Sequence, residues 1–329
     1  MNTHHGLDAL RRLPPGSVLS IGNFDGLHLG HRQILRTAAG LRAAGVRAAS
    51  PSPRLAVATF EPHPLTVLRP DRAPPRLTPS SRKRDLLEQA GVDDYVILPP
   101  TPDVLNLTAE QFWHILRDDA RPAQLVEGES FNFGKGRGGS IERLREWSAG
   151  SPIRLHVVPP VTVALLDLQV VPASSSLVRW LVAHGRARDA AICLGRPYEL
   201  MGQVVKGRQR GRAIGVPTAN LDCGEQLLPA DGVYAARCGA SGRTYPVALS
   251  IGTMPTFGPN ARQVEAHLVG FEGDLYGQAL RVDVLDWLRE QRKFKGLDAL
   301  KAQLALDLRD AISRADFAPQ TPLASVAVM

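Results

Sequence analysis

Apolar and polar positions alternate along the first half of the chain in two rhythms. Ser17–Ile21 is a short apolar run that reads as a strand, and a glycine-containing turn follows it. From about Gly30 to Ala44 the apolar positions Ile34, Leu35, Ala38 and Leu41 recur at helical spacing and share one face. Leu55–Phe60 is a second apolar run, Ser81–Ala90 has a helical pattern, and Tyr95–Leu98 reads as a buried strand. Thr108 followed by Gln111 forms a capping box that opens a further helix. Leu125–Glu127 and Leu155–Val158 are further short apolar runs. Strands alternating with helices predict a parallel sheet with helices on both faces.

Two more helical patterns follow, Ser174–His184 and Arg188–Leu194. The rhythm then changes. Glu199–Val205, Gly232–Cys238, Tyr245–Ile251, Val264–Phe271 and Ala279–Leu285 are short β-prone runs separated by glycine and proline turns. That series predicts a small antiparallel barrel. Leu297–Ser313 is amphipathic and helical, and the tail from Ala315 reads as frayed. The expected organisation is therefore an α/β domain over 1–187, an antiparallel barrel domain with a terminal helix over 188–315, and a flexible tail over 316–329. No internal repeat is visible.

Composition narrows the class. A chain of 329 residues exceeds one ordinary core and fits two domains. With 44% hydrophobic but only 5% aromatic residues, both cores must be mainly aliphatic. Lys and Arg outnumber Asp and Glu by 39 to 32, giving +7, but the excess is spread along the chain. Such spreading suits small anionic substrates such as nucleotides. No basic stripe interleaved with aromatics points to nucleic acid. Cys193, Cys223 and Cys238 lack CxxC spacing and even pairing, which argues against a disulfide framework or zinc site and for a cytoplasmic protein. Neither a signal-peptide run nor a bilayer-length apolar stretch is present, so no membrane partner is expected.

The first candidate site is the string Ile21-Gly22-Asn23-Phe24-Asp25-Gly26-Leu27-His28-Leu29-Gly30-His31, between the first strand and the first helix. In open parallel sheets ligands sit at the carboxyl ends of strands. Glycines admit a close-lying phosphate, and a helix N-terminus favours anions. His28 and His31, three apart, can donate to phosphate oxygens as charge builds. A glycine-rich turn with two surface histidines would carry the same short HxGH pattern. A zinc pair would need more ligands, and no HExxH surrounds them.

The eleven-residue string resembles the nucleotidyltransferase signature, and in particular the N-terminal domain of the bifunctional riboflavin kinase/FAD synthetase family. Thr59-Phe60-Glu61-Pro62-His63-Pro64, Gly128-Glu129-Ser130-Phe131-Asn132-Phe133-Gly134 and Ser174-Ser175-Ser176 with Arg179 match further family segments. The resemblance implies that Gly22, Asn23, Phe24, Asp25, Gly30, Ser175, Ser176 and Arg179 bind ATP, that Ser130 and Phe131 lie near flavin, and that His28 and His31 steady the triphosphate. It implies direct attack of the FMN phosphate on the α-phosphorus of ATP, with positioning and charge neutralisation carrying the rate. Two departures stand out. Ser130 replaces the usual Asn or Asp, and Pro172 stands where a basic residue is usual.

The second candidate site is Gly202–Arg212, rich in glycine and positive charge, followed by Gly215-Val216-Pro217-Thr218-Ala219-Asn220. It is not a P-loop, since GxxxxGK[ST] is absent. Backbone N–H groups there can still form an anion site; a solvated hairpin with surface arginines is the plainer alternative. The segment resembles the riboflavin kinase domain. By that resemblance Gly207, Gly211, Arg212 and Pro217 bind ATP, Thr218 and Asn220 hold Mg²⁺ with ATP as co-substrate, and Arg289 and Phe294 lie over the flavin. Glu265, in Val264-Glu265-Ala266-His267, is the implied general base toward the ribityl hydroxyl. Gln291 stands where the family usually has Glu.

The leading expectation is a two-step enzyme with riboflavin, FMN, FAD and ATP as its small-molecule partners. The alternatives are a riboflavin kinase with a degenerate first domain, a flavin- or nucleotide-binding regulator without turnover, and adenylylation of another phosphorylated substrate. Oligomeric state is left open.

Overall fold

The computed structural model describes residues 1–46, 52–207, 215–253 and 262–316. The chain packs as two compact units: Met1–Pro74 with Ser80–Thr162, and Pro75–Pro79 with the chain from Val163 onward.

The first unit is built on β1 (Asn2–His5), β2 (Val18–Ile21), β3 (Leu55–Phe60), β4 (Asp94–Leu98), β5 (Gln124–Gly128), a small hairpin of β6 (Asn132–Phe133) and β7 (Gly139–Ser140), and β8 (Arg154–Val158). The main sheet has the order β1-β4-β3-β2-β5-β8, and every pair in it is parallel. Alternate residues feed two cores. Leu19, Ile21, Ala58, Val96 and Leu125 pack with Phe112, Trp113 and Phe133. Val18, Leu55, Val57, Tyr95 and Val126 pack with Leu35 and Ala38 of the helix Leu29–Val46 and with Leu87. Helices therefore cover both faces, as the alternation of patterns predicts.

The chain runs from β2 outward through β3 and β4, then returns to add β5 and β8 on the other side of β2. The order reverses between β2 and β5. That reversal is where an open parallel sheet forms a crevice at its strand ends. The edge strand β1 was not foreseen, because Asn-Thr-His-His carries no apolar run. Buried Asp94 holds it instead, accepting from Asn2 Nδ2 at 3.2 Å and bonding His4 Nε2 at 3.0 Å.

The second unit contains the hairpin strands β9 (Thr162–Ala164) and β10 (Val170–Pro172), of which Thr162 falls to the first unit, and then β11 (Tyr198–Val205), β12 (Ala219–Asp222), β13 (Gly232–Ala240), β14 (Arg243–Thr253), β15 (Arg262–Leu268) and β16 (Ala279–Arg289). These last six close into a barrel, order β11-β12-β15-β14-β13-β16, with all neighbours antiparallel. Closure removes sheet edges, and Leu200, Leu249, Ile251, Val282 and Val284 fill it with aliphatic side chains, all fully buried. The helix Leu297–Asp316 follows and takes in the first residue of the tail expected over 316–329; 317–329 lie outside the described residues.

The division into units differs from the boundary expected at 187. Helices Ser175–Ala183 and Ala187–Leu194 group with the barrel. Between them Gly185, at φ +73°, lies so close to β16 that a Cβ would sit 2.7 Å from the Trp287 ring. The amide of Ala230 also donates to Val182 O. This packing ties 163–187 to the second unit.

Candidate active sites

In the first unit β2 ends at Ile21 and the signature string forms the turn into the helix Leu29–Val46. Phe24 (φ 46°) and Leu27 (φ 39°) both adopt left-handed backbone, with Gly26 (φ 83°) between them. Such conformations in non-glycine residues cost energy and concentrate at ligand sites. Packing holds the turn in place. The Phe24 side chain is 1% exposed, so it serves as core beneath the turn, and its contribution toward a ligand is limited to backbone. A Cβ on Gly22 would stand 3.3 Å from the Phe24 ring. Thr59, at the end of β3, donates its hydroxyl to Asn23 O at 3.1 Å. Above this floor the rings of His28 and His31 stack, centroids 3.7 Å apart, with Phe24 5.0 Å from His31. Two imidazoles thus share one spot at a helix N-terminus, where N–H groups and the helix dipole favour an anion.

Glu61 follows β3 and accepts from Lys83 Nζ at 2.8 Å and Ser80 Oγ at 3.0 Å, fixing the 61–64 segment. Beyond β5, Ser130 is exposed, while Phe131 stacks on Phe133 at 5.5 Å. Gly134 (φ +72°) passes so close to the helix Ala109–His114 that a Cβ would lie 2.6 Å from Ala109 N.

Ser175, Ser176 and Arg179 belong to the second unit, whereas His28 and His31 belong to the first. Ser174 caps the helix Ser175–Ala183 by accepting from Leu177 N, and Arg179 Nε donates to Pro75 O at 2.8 Å. Pro172 ends β10 with an exposed side chain.

In the barrel, Asn220 on β12 stands opposite Glu265 on β15, which in turn stands opposite Ser250 on β14. Half-burial raises the Glu265 carboxyl above its usual range. Gly207 lies against Asn220: a Cβ there would fall 2.0 Å from Asn220 Nδ2. His267 Nδ1 bonds Pro217 O at 2.6 Å, tying the Pro217-Thr218 backbone to β15. The structure thus brings Gly207, Pro217, Thr218, Asn220 and Glu265 to one end of three adjacent strands. Gly211 and Arg212 lie outside the described residues.

The two halves of the chain match two family models. One described as FAD synthetase covers residues 10–169, and one described as riboflavin kinase covers 194–314. A bifunctional riboflavin kinase/FMN adenylyltransferase of Escherichia coli K12 is 36% identical over 310 residues, covering 93% of this chain and 96% of its own. The one from Pseudomonas fluorescens is 36% identical, covering 97% and 99%. The chain belongs to the bifunctional riboflavin kinase/FMN adenylyltransferase family. The Bacillus subtilis member is 32% identical, with coverage of 90% and 92%. A solved structure from Streptococcus pneumoniae, named a macrolide-efflux protein, is similar with a TM-score of 0.83 at 28% identity, covering 95% of this chain and 99% of that one. No helix among the described residues of this chain is long and apolar enough to cross a membrane.

Two polar residues, Asp307 and Glu127, carry no signal in the sequence. Arg289 makes a two-pronged ion pair with buried Asp307 of the terminal helix at 2.8 and 2.7 Å, and its guanidinium lies 5.6 Å from the Phe294 ring. Arg289 therefore spends its charge on Asp307 and holds Phe294 by stacking. Asp307 itself sits on an amphipathic helix, where an acidic residue reads as solvent-facing. Glu127, fully buried on β5, accepts from Ile21 N at 2.8 Å. The short apolar run around it gave no hint of a polar role. The three cysteines are unpaired, and burial pushes Cys193 and Cys238 up to about 11 and Cys223 to about 12, so none is a thiolate near neutrality.

Proposed function

We propose that this chain phosphorylates riboflavin to FMN at the barrel site and adenylylates FMN to FAD at the first site. The observation that carries the reading is Glu265 set opposite Asn220, in a chain whose other half presents the stacked histidine pair at a strand-to-helix turn.

At the barrel site the ribityl 5′-hydroxyl of riboflavin attacks the γ-phosphorus of ATP, and ADP leaves. Glu265 accepts the hydroxyl proton. Its burial brings the carboxylate closer to working pH, which makes it a better base than an exposed glutamate. Thr218 and Asn220 offer a hydroxyl and an amide oxygen, the donors a hard cation takes. No cluster of three His, Cys, Asp or Glu side chains suited to a metal exists among the described residues. The Thr218 hydroxyl and Asn220 amide oxygen would hold a Mg²⁺ arriving with ATP, and the ion would supply neutralisation of phosphate charge. Phe294, steadied by Arg289, supplies an apolar surface for the isoalloxazine.

At the first site an FMN phosphate oxygen attacks the α-phosphorus of ATP and pyrophosphate leaves. His28 and His31 donate to the triphosphate where charge grows, and Gly22 and Gly30 let backbone approach it. Phe131 offers a face to the flavin. Three unpaired thiols fit a cytoplasmic setting.

The test supplies the purified chain with Mg²⁺ and ATP plus either flavin. ADP release with riboflavin and pyrophosphate release with FMN are expected; absence of both removes the reading.

A further inference from the structure

The β2–β5 ladder is short. Its register pairs Val18 with Gln124 and Leu19 with Leu125, and goes no further. Two more steps would set Ile21 opposite Glu127, but the strands have parted by then. This is the point of the sheet where strand order reverses. A parted ladder leaves a backbone N–H buried without its strand partner, which is destabilising if nothing replaces it. Glu127 Oε1 replaces it, accepting from Ile21 N at 2.8 Å.

We propose that Glu127 is a positioning residue of the first site: its carboxyl stands in for the missing ladder partner of Ile21 and fixes where the Gly22–His31 turn leaves the sheet. Ile21 is the last residue of β2, and Gly22 is held from the opposite side by its own N–H to Ala58 O at 3.0 Å. The turn is thus pinned from β3 and from β5 at consecutive residues. The pin on the β5 side is a side chain, so it can be changed without breaking the strand.

The chemistry of the pin follows from its surroundings. Glu127 is 1% exposed. It lies opposite Val157 of β8, and by strand alternation it shares the face of Leu125, packed by Phe112, Phe133, Ile141 and Leu144. None of these carries a charge, and among the described residues no charged side chain acts on it. Burial holds its carboxyl well above the usual carboxylate range, against which the Ile21 amide pulls only partly. Burial thus disfavours the charged form, and the hydrogen bond to Ile21 needs only an accepting oxygen. Glutamine keeps such an oxygen and has no proton to lose. Ionisation at alkaline pH would place an unpaired charge in the core beside the turn.

The inference rests on the first site being the adenylyl-transfer site, and the experiment separates the two. FAD formation from FMN is followed against pH for the wild type, Glu127→Gln and Glu127→Leu, with FMN formation from riboflavin as the control for folding. Glu127→Gln, which keeps an accepting oxygen for Ile21 N, is expected to match the wild type. Glu127→Leu is expected to lose about tenfold in kcat/KM, the worth of one buried hydrogen bond. In parallel, hydrogen exchange of Ile21–His31 is expected to quicken in Glu127→Leu while Leu55–Phe60 keeps its protection. A Glu127→Gln that loses as much activity as Glu127→Leu, or unchanged exchange in Glu127→Leu, overturns the proposal. A wild type that makes no FAD at any pH defeats the reading of the first site, and the exchange measurement then decides the Glu127 proposal alone.

Discussion

Asn220 and Glu265 stand directly opposite each other across β12 and β15. The pairing sets the proposed cation-holding amide next to the proposed base, on a different unit from the histidine turn. Glu265→Gln should cut FMN formation by at least about 10²-fold, the usual worth of a general base, while FAD formation from added FMN persists. Chromatography of the two reactions checks this.

The pH dependence of the kinase step follows from the burial of Glu265. A base must be ionised, so the acid limb of FMN formation should lie above the ordinary 4.5. The same raised value has a stability cost. The native state keeps the proton longer than the unfolded state, so stability should fall as pH rises from about 4.5 through the native value. Glu265→Gln should remove that slope, read from denaturant midpoints across pH.

Gly207 has no room for a side chain beside Asn220. Gly207→Ala should displace the Asn220 amide and raise the KM for ATP in FMN formation about tenfold, equivalent to one lost polar contact. Adenylyl transfer should be unaffected. Steady-state kinetics with ATP varied in each reaction would show the split.

Asp307 and Arg289 form a largely buried ion pair. Asp307→Ala leaves the guanidinium uncompensated and should destabilise the second unit by about 3 kcal/mol. It should also raise the KM for riboflavin, because Phe294 loses its stacked support. Denaturant unfolding and riboflavin titration check the two effects.

His28 and His31 share one stacked pair. Replacing both by Ala should reduce FAD formation from FMN by about 10²-fold or more, the loss typical of a transition-state donor. FMN formation from riboflavin should survive. Initial rates of pyrophosphate and ADP release give the comparison.

Much of this architecture is written in the spacing of apolar residues. Val18–Ile21 and Leu55–Phe60 are buried on both faces, so their runs announce a parallel sheet, and the Thr108–Gln111 capping box forms as read. The elements that escaped are those held by something other than apolar burial. β1 is polar and depends on Asp94. β12 is four residues long and is fixed by pairing with β11 and β15 rather than by its own pattern. Local motifs located the histidine turn and the Glu265 strand. They could not show that Phe24 turns inward, that Arg289 is claimed by a helix residue 18 positions on, or that Glu127 replaces a ladder bond 106 residues away. Those are tertiary pairings, and no spacing along the chain encodes them.

Whether one chain performs both steps is read from a single time course that starts at riboflavin. With Mg²⁺ and excess ATP, FMN is expected to appear first and FAD then to grow at its expense. FMN accumulating with no FAD would contradict adenylyl transfer at the histidine turn, and unreacted riboflavin would contradict the barrel site as well.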